Sequence, residues 1–81
     1  MRVQVLFFAA ARDAAGVESL ALALSAGATI QDLKVALVNH APRLAAMSGS
    51  LLWAVNNQYQ SPQHVLKDND TIACFPPVSG G

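Results

Sequence analysis

The chain has 81 residues, of which 53% are hydrophobic and 12% charged, and five basic residues balance five acidic ones. A chain of this length is one domain, its hydrophobicity excludes a disordered polymer, and the lack of a basic excess argues against a nucleic-acid partner. With no apolar run longer than Val5 to Ala11, one cysteine and two separated histidines, we expect a cytoplasmic protein with no membrane span, disulfide or metal cluster.

The first third of the chain predicts two strands joined by a short helical turn. Val3 to Ala9 is rich in β-forming residues and apolar on nearly both faces, which is typical of an interior strand. Ala10 to Ala15 is expected to form one helical turn that Gly16 closes. Val17 to Leu24 alternates apolar and other residues, so we expect a half-buried strand that pairs antiparallel with the first.

The main helix is predicted to begin after Thr29. The hydroxyl of Thr29 can cap the first turn, and Asp32 stands at the capping-box position. Apolar residues then recur at steps of three and four, which is the period of a helix with one buried face. Pro42 is expected to end this helix near His40 or Ala41.

The second half predicts three short strands separated by turns. Leu51 to Val55 is the third strand, Asn56-Asn57 is a turn signal, and Tyr59 begins a short fourth strand. A second turn at Lys67 to Asp70 leads into the last strand, Thr71 to Phe75, and two prolines end it. Four or five short strands and one main helix predict a two-layer α+β domain with the helix across one sheet face.

The chemistry-bearing side chains inside this domain give no catalytic motif. His40 and His64 have no Ser, Cys or second His at a recognisable spacing, so we interpret them as surface histidines. Cys74 shares a strand face with Ile72 and is interpreted as a small core hydrophobe. Trp53 is interpreted as core or sheet-edge packing.

The last seven residues carry the functional signal. The sequence Phe75-Pro76-Pro77-Val78-Ser79-Gly80-Gly81 begins with prolines that hold the chain extended. It ends with two residues whose backbone can enter a channel too narrow for a Cβ. A carboxylate on Gly81 would be ionised and unhindered, and could be offered to another enzyme's active site. From the residues alone, a frayed terminus is an equal alternative.

The chain resembles the family of molybdopterin synthase small subunits, which are ubiquitin-like sulfur carriers of the β-grasp fold. The resemblance covers nearly the whole chain, and the ending from Phe75 to Gly81 is its most specific part. Trp53, Asn69 and Cys74 depart from the residues usual in that family, without touching the tail. The other matching pieces are Val5 to Ala9 with Arg12, Asp13 and Gly16, then Leu51 to Asn56, then Asp70 to Ala73.

The resemblance implies a β-grasp domain over residues 1–75 and a reactive tail over residues 76–81. It implies that an activating enzyme adenylates the Gly81 carboxylate with ATP, and that a sulfur donor enzyme converts it to a thiocarboxylate (a 1-thioglycine). The sulfur would pass to cyclic pyranopterin monophosphate on the large subunit, in a heterotetramer of two small and two large subunits. The chain itself would bind no cofactor and catalyse no step.

The residues expected to contact these partners are the tail and three aromatic side chains. By the alternation of strand faces, Phe8 and Phe75 point away from the helix, and the resemblance places their strands side by side. The resemblance adds Tyr59 from the short fourth strand. The full set of expected partner-binding residues is Phe8, Tyr59, Phe75, Pro76, Pro77, Val78, Ser79 and Gly80.

Three other functions remain open on the sequence. One is a sulfur carrier of the thiamin-thiazole branch, whose tail also ends in Gly-Gly. Another is a ubiquitin-like modifier that becomes conjugated to lysine through Gly81. The third is an interaction module with an inert tail. Covalent adducts of higher mass would favour the modifier, and loss of molybdoenzyme activity on deletion would favour the molybdopterin carrier.

Overall fold

Five strands form one mixed sheet in the order β2-β1-β5-β3-β4 in the computed structural model, which describes residues 1–77. β1 and β5 run parallel, and the other neighbours are antiparallel. The predicted α+β class and the mixed sheet with one main helix are confirmed. The elements are β1 (Arg2–Phe7), α1 (Ala9–Ala15), β2 (Ser19–Ala23), α2 (Ile30–His40), a 3-10 helix (Pro42–Met47), β3 (Leu52–Val55), β4 (Gln58–Tyr59) and β5 (Thr71–Phe75).

The main helix α2 begins as the sequence predicts. The hydroxyl of Thr29 accepts from the backbone N–H of Asp32 at 3.3 Å, and the Asp32 carboxylate accepts from the backbone N–H of Thr29 at 2.9 Å. This reciprocal pair is a capping box, which satisfies two donors that a helix start would leave unpaired. The helix ends at His40, and Pro42 opens the 3-10 helix that follows.

The core lies between α2 and one face of the sheet. The alternation of β1 directs Val3, Val5 and Phe7 to this inner face, where each is 3% exposed or less. Trp53 and Cys74 are buried on the same side, which confirms both as core residues. The remaining core side chains are Ala11, Ala14, Ile30, Leu33, Leu37, Leu44, Leu51, Val55, Leu66 and Ile72.

The predicted boundaries of the first two strands differ from those observed: β1 begins one residue before the predicted Val3, and both strands end earlier than predicted. β1 ends at Phe7, because Phe8 caps α1 and Ala9 has a φ of 52° that turns the chain out of the sheet. β2 is confined to Ser19–Ala23. The helical turn closed by Gly16 is confirmed, with a left-handed φ of 78° at that glycine. No helix among residues 1–77 is long and apolar enough to cross a membrane.

A buried carboxylate fastens the β3–β4 turn to the start of β5. Asp70 accepts from the side-chain amide of Asn56 at 3.0 Å and from the backbone N–H of Lys67 at 2.8 Å. The amide oxygen of Asn56 accepts from the backbone N–H of Thr71 at 3.1 Å. Asn56 and Asn57 both have positive φ, as the two-residue turn of a hairpin requires. These bonds set the position of β5, which leads into Pro76 and Pro77.

Asp70→Ala is expected to lower the free energy of unfolding by about 2–3 kcal/mol, because it removes two hydrogen bonds to a buried charged group. Denaturant unfolding followed by circular dichroism measures the change. Asp68→Ala is the matched control, since Asp68 lies in the same turn but makes one exposed bond, to the backbone N–H of Arg2. That variant is expected to lose less than about 1 kcal/mol. Equal losses in the two variants would contradict the role given to Asp70.

Candidate functional site

The tail leaves the sheet from its central strand. β5 lies between β1 and β3, and Phe75 is its last residue. Pro76 is half-buried and Pro77 exposed. Neither proline can donate a hydrogen bond to a neighbouring strand, so the ladder stops where the tail begins. The other predicted tail residues, Val78, Ser79, Gly80 and Gly81, lie outside the described part of the chain.

The three predicted aromatic residues occur at the end of the sheet where the tail departs. The backbone N–H of Phe8 donates to the carbonyl of Cys74 at 3.1 Å, which puts Phe8 beside the end of β5. Tyr59, on β4, lies with its ring centroid 5.6 Å from that of Phe75, and the two rings meet edge to face at 66°. This geometry is a favourable one for an aromatic pair.

These side chains belong to the sheet face away from α2. Phe8 is 48% exposed, Tyr59 is 70% exposed and Phe75 is half-buried. Leu52 pairs with Phe75 across the β3–β5 ladder and is 36% exposed on the same face. We call these four residues (Phe8, Leu52, Tyr59 and Phe75) the outer-face patch. Exposed large apolar side chains gathered in this way mark a contact surface on a small protein.

Leu52 is the member of this patch that the sequence interpretation missed. The signal was present, because Leu52 alternates with Trp53 and Val55 along β3, and both of those face the core. A strand whose alternate residues fill the core must present Leu52 to the opposite side. The exposure of Leu52 was therefore predictable from the sequence once the core side of β3 had been assigned.

The patch has one charged neighbour pair. Arg12 and Glu18 form an ion pair at 3.4 Å, with both side chains largely exposed. Arg12 follows Phe8 by one turn of α1, and its backbone N–H donates to the Phe8 carbonyl at 3.4 Å. Exposed ion pairs contribute little to stability. Arg12 and Glu18 line a surface hollow together with Phe8, so charged groups lie at this side of the patch.

Two kinds of reactive side chain, metal ligands and the cysteine thiol, can be placed within residues 1–77. In this part of the chain, no three His, Cys, Asp or Glu side chains are placed to hold a metal ion. Cys74 is fully buried, and burial raises the pKa of its thiol from 9.0 to about 12. A thiol with that pKa stays protonated at neutral pH, and the thiolate is the reactive form. Its interpretation as a packing residue is confirmed by its burial.

The raised pKa of Cys74 predicts a loss of stability in strong base. The unfolded thiol ionises near pH 9.0 while the folded thiol stays protonated to about pH 12. The stabilising contribution is therefore complete below pH 9 and declines between pH 9 and pH 12, by up to about 1.4 kcal/mol per pH unit. Cys74→Ala removes this slope and costs about 1 kcal/mol at neutral pH through lost packing.

Denaturant unfolding of the parent and Cys74→Ala proteins across this pH range measures the difference. The rest of the sequence is the same in both proteins, so its effects cancel in the comparison. Parallel stability curves for the two proteins would contradict a thiol held neutral by burial.

Comparison with known proteins places this fold and tail in a family. The ThiS family profile matches residues 5–81. The chain is 37% identical over 83 residues to the molybdopterin synthase sulfur carrier subunit of Chlamydomonas reinhardtii, with both chains fully covered. It is 38% identical over 81 residues to the protein of the same name from Escherichia coli, covering 98% of this chain and 99% of the relative.

Solved structures agree on the fold. A putative molybdopterin converting factor subunit 1 from Pyrococcus furiosus has a TM-score of 0.87 and 30% identity, covering 96% of this chain and 99% of that one. SAMP1 from Haloferax volcanii has a TM-score of 0.88 and 26% identity, with both chains fully covered. A chain from the Helicobacter pylori complex of subunits 1 and 2 of molybdopterin-converting factor has a TM-score of 0.70 and 27% identity, with both chains fully covered. The predicted ubiquitin-like β-grasp fold is confirmed.

Proposed function

The chain belongs to the ThiS family, and from that membership we propose that it is the sulfur carrier of a molybdopterin synthase, with Gly81 as the residue that carries the sulfur. The observation that supports this most directly is the outer-face patch at the base of the Pro76-Pro77 segment. A carrier needs a surface that a partner holds and a terminus that the partner modifies. The outer-face patch is the proposed holding surface, and it includes Phe75, from which the sequence leads to Gly81.

In this proposal the chemistry is supplied by partners, as the name sulfur carrier subunit of the similar proteins suggests. In the proposed cycle, the Gly81 carboxylate attacks the α-phosphate of ATP, and pyrophosphate leaves. The resulting acyl-adenylate has AMP as a good leaving group. The outer sulfur of a persulfide on the sulfur donor enzyme displaces AMP and forms an acyl disulfide. A thiol then attacks the donor sulfur of that S–S bond, so the thiocarboxylate leaves and the two thiol sulfurs end as a disulfide. The large subunit uses the thiocarboxylate on cyclic pyranopterin monophosphate. Residues 76–81 form the reactive tail in this proposal, and residues 1–75 the docking domain.

The outer-face patch is proposed to dock the carrier onto both enzymes. Tyr59 and Phe75 form a contiguous aromatic surface, and Phe8 extends it across the end of β1. A partner that covers these rings gains apolar burial at the same place where it must admit the tail. Docking of the patch and insertion of the tail therefore take place at the same site on the partner. Residues Pro76 to Gly80 are proposed to complete the contact.

The Helicobacter pylori neighbour is a complex of two subunits, which supports a larger subunit as a partner of this chain. We propose a heterotetramer of two small and two large subunits. Each pterin needs two sulfur atoms for its dithiolene, and each carrier delivers one. An adenylating enzyme and a sulfur donor enzyme are the other partners in this proposal.

Intact mass spectrometry of the protein from its native cells tests the proposal. A fraction of the chains is expected to carry sulfur in place of one terminal oxygen, and this form is expected to disappear when Gly81 is deleted. A chain found only as the carboxylate, in cells that are making molybdoenzymes, would overturn the proposal.

A ubiquitin-like modifier is the second candidate, because the chain is similar to the small archaeal modifier protein 1 (SAMP1) of Methanosarcina acetivorans, at 30% identity and a TM-score of 0.82. A modifier leaves covalent adducts of higher mass in cell extracts, whereas a carrier does not. The thiamin-thiazole carrier is tested by deletion: growth restored by thiazole would favour it, and loss of molybdoenzyme activity would favour the molybdopterin carrier.

Gly80→Val is expected to reduce adenylation of the carrier at least about tenfold, because it adds a branched Cβ where the partner must close around backbone. Pyrophosphate release measured with the activating enzyme gives the rate. Gly49→Val is the control, since it makes the same change at an exposed glycine of the domain where an added Cβ meets no atom within 4 Å. Normal kinetics for Gly80→Val would contradict a narrow channel.

A further inference from the structure

The β2 edge of the sheet is unpaired within residues 1–77. The sheet has two edges, and the opposite one is β4, which is only two residues long. β2 has five residues, Ser19–Ala23, and pairs with β1 on one side only. A strand of this length with a free side presents a row of backbone donors and acceptors to solvent.

Two hydrogen bonds fix which residues point toward that free side. The backbone N–H of Phe7 donates to the carbonyl of Glu18 at 2.9 Å, and that of Leu24 donates to the carbonyl of Met1 at 2.8 Å. In an antiparallel ladder such bonds occur at every second residue. The even-numbered residues from 18 to 24 therefore bond to β1, and the backbone groups of Ser19, Ala21 and Ala23 point outward.

The outward-pointing residues have none of the usual protection of an edge strand. Proteins shield such edges with lysine, proline, a bulge or a covering loop. Ser19, Ala21 and Ala23 are uncharged, small and exposed, so they leave the backbone accessible. The register with β1 is continuous over all five residues, so the strand contains no bulge.

The core side of the same edge is also incompletely covered. Leu20, Leu22 and Leu24 pack against the core cluster but stay half-buried. Their side chains lie on the α2 side of the sheet. Along the strand they alternate with Ser19, Ala21 and Ala23, whose backbone groups face the free edge. An added strand would complete the burial of these leucines only if it carried apolar residues at the matching positions.

We propose that a second copy of this chain pairs with β2 in antiparallel orientation, centred on Ala21. This register uses all three outward-pointing residues, placing Ser19 opposite Ala23 and Ala21 opposite itself, with about six backbone hydrogen bonds. It places Leu20 opposite Leu22 of the partner copy. The β2 edge of one copy is therefore complementary to the β2 edge of a second copy.

Charge does not oppose this pairing. The chain has no net charge, and the charged residue nearest to the edge, Glu18, falls opposite Leu24 of the partner copy. Two five-residue strands bury less area than a permanent dimer requires, so the association is weak and depends on concentration. It also leaves Leu52, Tyr59 and Phe75 of the outer-face patch free, because their strands β3, β4 and β5 lie at least two strand spacings, about 9.5 Å, from β2.

Sedimentation equilibrium of the full chain over a range of concentrations tests the proposal. The apparent mass is expected to rise from one chain toward two. Ala21→Lys and Ala21→Glu are each expected to abolish this rise, because the substituted charge lies opposite its own copy. An equimolar mixture of the two variants is expected to restore the dimer. Circular dichroism checks that both variants fold, which the exposure of Ala21 allows.

Ala21→Pro provides a second test. The N–H of Ala21 points away from β1, so proline removes an outward donor without breaking the β1–β2 ladder, and loss of the dimer is expected. A parent protein of one-chain mass at every concentration overturns the proposal. So does a dimer that survives all three substitutions, or one that the mixed charges fail to restore. None of these results depends on the sulfur-carrier function, because no partner enzyme is present.

Discussion

Deleting Gly81, or adding one residue after it, is expected to abolish ATP-dependent sulfur loading of the carrier. In the proposed cycle the reacting group is one carboxylate, and its position relative to the activating enzyme is set by the length of the chain from Phe75 onward. A reacting atom misplaced by one residue, which spans about 3.5 Å, lies beyond the distance at which bonds form. Thiocarboxylate formation measured by intact mass gives the result, and we expect none above background.

The control is a binding measurement on the same variants. The outer-face patch is unchanged in both, so affinity for the activating enzyme is expected to fall far less than loading does. The thermal melting temperature is expected to match that of the parent protein. An extended chain that still supports sulfur transfer, with its extra residue shown by mass to be intact, would rule out Gly81 as the reactive residue.

Phe75→Ala is expected to weaken binding to the activating enzyme and to the large subunit by about 2 kcal/mol each, or about thirtyfold. Phe75 is the centre of the outer-face patch, since it contacts Tyr59 and pairs with Leu52. Its half-burial and its aromatic contact also contribute to the fold, so the free energy of unfolding is expected to fall by about 1 kcal/mol. Isothermal titration calorimetry and denaturant unfolding measure the two effects separately.

Val35→Ala is the matched control for this prediction. Val35 is 54% exposed, but it lies on α2, across the sheet from the patch. Its truncation removes exposed apolar area and is expected to leave both affinities unchanged. A Phe75→Ala protein that loses several kcal/mol of stability and keeps full affinity would show that Phe75 belongs to the core and not to the docking surface.

The parts of the fold that local chemistry determines were predictable from the sequence. α2 has a capping box at its start, a helical apolar period and a proline after its end, and each of these acts within a few residues. The Asn56-Asn57 turn was readable for the same reason, because asparagine tolerates positive φ. β5 was predicted with its observed limits, since a charged turn precedes it and two prolines follow it.

The features that depend on distant contacts were less accessible. Phe8 and Ala9 continue the apolar run of β1, but Phe8 is the N-cap residue of α1 and Ala9 has a positive φ. A positive φ is usually predicted from a glycine, and there is none at this position. Leu44 continues the apolar period of α2, yet it is buried from a separate 3-10 helix. The order of strands in the sheet is a tertiary property, and the resemblance to a known family supplied the parallel pairing of β1 with β5.

The same distinction applies to the candidate site. Phe8 and Phe75 were assigned to the outer face by alternation alone, because Phe8 directly follows β1 and Phe75 is the last residue of β5, and the core residues of both strands are clear. Tyr59 came from the resemblance, since a two-residue strand has too little pattern to define its faces. Leu52 was missed because the apolar character of β3 masked which of its residues face solvent.

The central position of β5 has a mechanical consequence. Its four paired positions on β1 and its four on β3 lie along the direction in which the tail leaves. A partner that draws on the tail loads these two ladders in shear, so their hydrogen bonds share the force, whereas an edge strand could be peeled away one bond at a time. Tension is then transmitted through β5 to the whole sheet, and the domain can be pulled against a partner without unravelling from its C-terminal end.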